Sequence, residues 1–97
     1  MVSIEITVFA RFKETFGGLR KLEISEDKCR DFSVKDALLK LCSETEGGYE
    51  VLFDSDEEIL DSVLLMHNKK RISAGDADDI IIQDGDGIVL YPPVSGG

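Results

Sequence analysis

Ninety-seven residues make one domain, too small to enclose a deep catalytic pocket. Hydrophobic residues account for 42% of the chain, enough for a core that needs neither metal nor disulfide, and the formal net charge is -9, from 20 acidic against 11 basic residues. A field of that sign repels nucleic-acid phosphates and anionic membranes, which argues against either as a direct partner; it suits a basic partner face, and equally serves plain solubility.

Val2, Ile4, Ile6, Val8 and Ala10 alternate with Ser3, Glu5 and Thr7, a period of two that predicts a half-buried strand over residues 2–10. The strand pattern begins almost at Met1, so neither a signal peptide nor a membrane span is read and a cytoplasmic protein is expected. Gly17-Gly18 marks a turn, after which Leu22 and Ile24 alternate with Lys21 and Glu23; an N-terminal hairpin with a long connection is expected.

Ser33-Val34-Lys35-Asp36 reads as a capping box in which Asp36 replaces the usual glutamate, and an acid there also suits the helix dipole. Val34, Ala37, Leu38, Leu41 and Cys42 follow at helical spacing, and Gly47-Gly48 is expected to end the helix, because glycine tolerates the left-handed geometry of a C-cap. Residues 49–61 are acidic and weakly periodic, with Val51, Leu52 and Phe53 as an apolar island; they read as a loop with one short turn packed on the core. Val63-Leu64-Leu65-Met66 reads as a strand buried on both faces, and Asn68-Lys69-Lys70 as a turn into a brief strand at Arg71-Ile72. Residues 84–87 form a turn signal before the last strand, Ile88-Val89-Leu90-Tyr91. The order predicts an α+β domain: a mixed sheet with one main helix across one face, the N- and C-terminal strands side by side and parallel in its middle.

Side chains with catalytic potential are sparse. Cys29 and Cys42 have neither zinc-ligand nor thioredoxin spacing; Cys42 falls on the apolar side of the helix and is expected in the core, Cys29 lies in a polar stretch, and nothing positive supports a disulfide between them. His67 has no obvious nucleophile partner, and no metal site is expected. Phe9, Phe12 and Phe16 suit either a partner surface or the core, with the core favoured; Lys69, Lys70 and Arg71 form the one basic cluster and read as a solvated turn.

The chain end is different. Pro92 and Pro93 cannot donate to a sheet and hold the backbone near polyproline geometry, so the chain should leave the last strand as a stiff arm, with a domain at 1–91 and a tail at 92–97. The six residues beyond Tyr91 reach at most about 20 Å. Val94 and Ser95 lead to Gly96-Gly97, thin enough for a narrow enzyme tunnel, with a terminal carbonyl carbon that no side chain shields. A carboxylate becomes an acyl donor once its oxygen is made a leaving group; adenylation by ATP does that, and the acyl group can then pass to sulfur or to an amine.

The run Asp84-Gly85-Asp86-Gly87-Ile88-Val89-Leu90-Tyr91-Pro92-Pro93-Val94-Ser95-Gly96-Gly97 is similar to the glycine-aspartate turn, apolar strand and proline-proline-x-x-glycine-glycine ending of the β-grasp sulfur carriers and ubiquitin-like modifiers of prokaryotes. Phe9-Ala10-Arg11-Phe12-Lys13-Glu14 resembles the end of that family's first strand, and Leu64-Leu65-Met66-His67-Asn68 the strand and turn after its helix. The sequence resembles most the small subunit of molybdopterin synthase and the small archaeal modifier proteins. It departs from them at Gly87, where the family often has an acidic residue, and in extra length around residues 45–61.

The resemblance implies a ubiquitin-like β-grasp fold and a carrier with no active site and no bound cofactor of its own. An E1-like enzyme would use ATP to adenylate Gly97, with Gly96 beside it and Pro92, Pro93, Val94 and Ser95 positioning the arm. The adenylate would become a thiocarboxylate that donates sulfur in molybdopterin synthesis, in the large subunit of the synthase, or an acyl donor that forms isopeptide bonds to lysines of target proteins. Both uses share one tail; sulfur carriage is preferred slightly for the tail's form. A plain binding module with an idle tail is the remaining reading.

Overall fold

The computed structural model describes residues 1–9, 12–25, 27, 30–60 and 63–92. Among the described residues the elements follow one another as β1 (Val2–Val8), α1 (Phe12–Phe16), β2 (Leu19–Ile24), α2 (Val34–Ser43), α3 (Gly48–Leu52), β3 (Leu64–His67), β4 (Lys70–Ile72), α4 (Ala74–Asp79) and β5 (Gly87–Tyr91). The sheet order is β2-β1-β5-β3-β4. β1 runs parallel to β5 and antiparallel to β2, and β3 is antiparallel to both β5 and β4. The first and last strands thus sit side by side, as their apolar patterns require, and the whole is a ubiquitin-like β-grasp.

Strand alternation sends Ile4, Ile6 and Val8 of β1, Leu22 and Ile24 of β2, Leu65 of β3, and Ile88 and Leu90 of β5 into the core. There they meet Val34, Ala37, Leu38, Leu41 and Cys42 of α2. The helix starts where its cap dictates: Ser33 accepts from the Asp36 N–H at 3.1 Å, and Asp36 accepts from the Ser33 N–H at 3.0 Å. Among the described residues, α1, α2, α3 and α4 all send side chains into this core, and none of them packs on the other face of the sheet.

Four details differ from the sequence reading. First, α2 stops at Ser43, with Glu44 as its C-cap, several residues before the glycine pair. Gly47, at φ 76°, opens α3 instead, and Gly48 lies so close to Phe16 that a Cβ would sit 2.9 Å from its ring. Second, the strand at 64–67 is buried on one face only: Leu65 is in the core, whereas Leu64 and Met66 stay partly open to solvent. Third, the hairpin connection carries α1, whose Phe12 and Phe16 complete the core. Fourth, a short helix, α4, follows β4 and opens on a second capping box, between Ser73 and Asp76.

The acidic stretch behaves as read. It holds α3 and a tight loop in which Asp54 accepts from the N–H groups of Asp56 and Glu58, with Leu52, Phe53 and Ile59 buried beneath. The turn after β3 is a two-residue hairpin with Asn68 and Lys69 at positive φ, the combination a primed turn demands. Cys42 is a free, buried thiol whose pKa is pushed up to about 12, by burial first and by Glu50 second. Cys29 and Ala10 lie outside the described residues, and among those described no helix is long and apolar enough to cross a membrane.

Candidate functional site

Of the residues expected to carry the chemistry, Pro93, Val94, Ser95, Gly96 and Gly97 lie outside the described residues; Pro92 is described, and the structure therefore shows where the tail is rooted. β5 is the middle strand of the five, bonded on one side by β1 and on the other by β3. Its last residues remain inside the ladder: Phe9 N–H donates to the Leu90 carbonyl at 3.2 Å, and Tyr91 faces Leu64. The tail is thus rooted in a strand held by a ladder on each side rather than in an edge strand.

The surface at this root is apolar. The rings of Phe9 and Tyr91 stack on the open sheet face, centroids 4.7 Å apart and planes 7° from parallel. The register continues outward on the same face: Leu19 opposite Thr7, Val89 opposite Thr7 and Met66, and Leu64 beside Tyr91. Leu19 is 54% exposed and Tyr91 36%, and both lie on this face. Arg71, opposite Met66, borders the patch on one side, and the exposed pair Lys21–Glu5 on the other, with 3.8 Å between Nζ and Oε1. Sequence reasoning singled out Phe9 as a surface candidate and set it aside for the core; the structure puts Phe12 and Phe16 in the core and leaves Phe9 half-buried at the tail root.

The one histidine lies at the other end of β5. His67 Nε2 is 2.8 Å from Asp86 Oδ2, Asn68 Nδ2 donates to Asp86 Oδ1 at 2.9 Å, and the Gln83 N–H donates to Oδ2 at 2.9 Å. Asn68 Oδ1 in turn accepts from the Gly87 N–H at 2.8 Å. Burial alone would raise the Asp86 pKa; the hydrogen bonds from Asn68, His67 and Gln83 outweigh it and hold the carboxyl below its ordinary range. No hydroxyl or thiol joins this group among the described residues, so it is a clamp tying the β3–β4 turn to the start of β5. Lys69, Lys70 and Arg71 are all exposed, at and just after this turn.

A β-grasp domain whose central last strand leads into the sequence Pro92-Pro93-Val94-Ser95-Gly96-Gly97, with an apolar sheet face at its root, fits the class of ubiquitin-like carriers. Residues 6–97 match the ThiS family, and the chain belongs to it. The fold is that of SAMP1 from Haloferax volcanii: 28% identity, 98% of this chain and 99% of that one covered, TM-score 0.81. The putative molybdopterin converting factor subunit 1 of Pyrococcus furiosus shares the fold at 24% identity, TM-score 0.72, over 97% of this chain and all of that one (100%). So does the Amycolatopsis orientalis BexX/CysO complex, at 16% identity and TM-score 0.70, over 97% of this chain and 99% of that one. No curated protein matches the sequence. The family is one of ubiquitin-like sulfur carriers and modifiers.

Proposed function

We propose that the chain carries sulfur as a thiocarboxylate on Gly97 and gives it up in molybdopterin biosynthesis. An E1-like enzyme docks on the apolar face around Phe9, Tyr91, Leu64 and Leu19 and draws the arm into its nucleotide site. There the Gly97 carboxylate attacks the α-phosphorus of ATP, pyrophosphate leaves, and hydrosulfide displaces AMP from the acyl adenylate, giving the thiocarboxylate with loss of one proton. Pro92 and Pro93 keep the arm extended, Val94 and Ser95 fill its length, and Gly96-Gly97 pass the narrowest part of the tunnel. The acceptor is the large subunit of a molybdopterin synthase, into which the same arm inserts.

The observation that carries this reading is the coincidence, at one end of β5, of a diglycine-ended tail and the exposed apolar surface of the sheet. Membership of the ThiS family and likeness to a putative molybdopterin converting factor subunit support it. Likeness to SAMP1, a modifier by its name, supports conjugation to lysines as the second reading. Incubation with ATP, a sulfur donor and candidate E1-like enzymes, followed by intact mass, separates the two. Replacement of oxygen by sulfur at Gly97 is the expected result; lysine-linked conjugates with no thiocarboxylate would overturn sulfur carriage. Removal of Gly97 is expected to abolish activation while leaving the thermal unfolding midpoint unchanged, and retained activity would mean an idle tail.

A further inference from the structure

The sheet has two edges, and they are unequal. β4 is three residues long and runs directly into α4, whereas β2 spans six residues, Leu19–Ile24, without proline. Its hydrogen-bonding phase follows from the ladder. The Val8 N–H donates to the Gly18 carbonyl at 2.8 Å, and residues pair in antiparallel register from Thr7↔Leu19 to Val2↔Ile24. Bonding groups alternate sides along a strand, so Gly18, Arg20 and Leu22 address β1. The N–H and C=O groups of Leu19, Lys21 and Glu23 address the open side and meet no partner among the described residues. Beyond that edge, on the helix side, lies a groove of about 530 Å³ lined among the described residues by Ile24, Phe32 and Leu39.

The sequence of β2 says which strand fits. A two-fold antiparallel pairing of β2 with itself must keep core-side residues opposite core-side residues, because a slip of one flips every side chain. Two central registers satisfy this. One sets Lys21 opposite its own copy, like charge on like. The other sets Leu22 opposite Leu22 and Lys21 opposite Glu23, twice over by symmetry, and brings the outward backbone groups of Lys21 and Glu23 into hydrogen-bonded pairs. We propose that β2 is a homotypic docking edge: a second copy of this chain adds antiparallel in the Leu22-centred register, fixed by two Lys21–Glu23 cross-pairs.

The exposed Lys21–Glu5 pair within one copy competes little, since such surface contacts are weak. Net charge of -9 on each copy opposes association and the contact is small, so the dimer is weak and reversible, favoured by local crowding. β2 lies two places from β5 in the sheet, and antiparallel pairing sets the two Pro92 tail roots at opposite ends of the paired sheets.

Sedimentation equilibrium and concentration-dependent amide spectra of the full chain test the proposal. The wild type is expected to dimerise reversibly, with amide shifts at Leu19, Lys21 and Glu23. Lys21→Glu or Glu23→Lys alone is expected to weaken the dimer by about tenfold, because opposed charges become like charges at both symmetric pairs. The double reversal is expected to restore it, and mixing the two single variants to give a heterodimer tighter than either homodimer. That mixture guards against misfolding, since two misfolded variants would not find each other. A chain monomeric up to about 1 mM, or a dimer indifferent to these reversals, would overturn the proposal.

Discussion

Asp86 illustrates how much one buried acid can organise. It is only 6% exposed, yet three donors converge on it from two segments: His67 and Asn68 on one side and the backbone of Gln83 on the other. Its own backbone extends the clamp, the carbonyl accepting from Glu5 N–H at 3.0 Å across to β1. Replacing it by asparagine keeps the shape and reverses the hydrogen-bonding sense of one terminal group, leaving a buried donor unmatched. Asp86→Asn is therefore expected to cost about 1–3 kcal/mol near neutral pH, measured by denaturant unfolding. The pH dependence follows from the depressed pKa. The folded state holds the carboxylate ionised below the pH at which the unfolded chain protonates it, so its stabilisation is complete above about pH 4 and is lost as pH falls through the folded value. The difference between wild type and variant should narrow in acid; a gap that is constant with pH would show that Asp86 acts through shape alone.

At the scale of elements, Gly48 shows two effects in competition. It begins α3 with negative φ, and alanine there gains helix propensity worth up to about 1 kcal/mol. A Cβ, however, would lie 2.9 Å from Phe16 Cε1 and 3.3 Å from the Cys42 Cα, and Phe16 is held in the core. Overpacking wins, and Gly48→Ala is expected to lose about 1–2 kcal/mol net, read as a fall in the thermal midpoint of several degrees. An unchanged or higher midpoint would mean that α1 moves aside freely. The same residue marks a limit of reading from sequence. A glycine pair after an apolar helix looks like a C-cap, and only tertiary contact reveals that it spaces α3 from α1. Periodicity did specify β1, α2, β5 and their arrangement, because each buries a regular stripe. It missed α1, whose five residues are too short to show a period, and α4, whose Ala74–Asp79 run offers the core just one buried side chain, Ala77. Yet Ser73-x-x-Asp76 repeats the Ser33-x-x-Asp36 signature, so the cap of α4 was written in the chain. Of the candidate site, the tail was read from the order Pro92-Pro93-Val94-Ser95-Gly96-Gly97, and all of it but Pro92 lies outside the described residues. The stacked Phe9–Tyr91 pair was not legible, since it depends on the parallel register of β1 and β5, which no local pattern encodes.

Across the whole molecule, the layering separates stability from recognition. Among the described residues, α1 to α4 pack into one core on one face of the sheet, which leaves side chains of the other face available to a partner. Leu19 is the clearest case: 54% exposed at the start of β2 and absent from the core, with its Cβ on the open face opposite Thr7. If an activating enzyme grips this face, a charge at position 19 must be desolvated on docking, while the tail that reacts is untouched. Leu19→Glu is thus expected to raise the KM for the carrier in ATP-dependent activation by about tenfold, the scale of a well-packed interface residue, with kcat nearly unchanged. The thermal midpoint should hold, as for most substitutions at exposed positions. Steady-state kinetics of AMP release over a range of carrier concentrations give the split directly. A fall in kcat would place Leu19 among the groups that set the arm's position for chemistry. No effect on either constant would leave recognition to the arm alone, and the exposed apolar face would then belong to the acceptor.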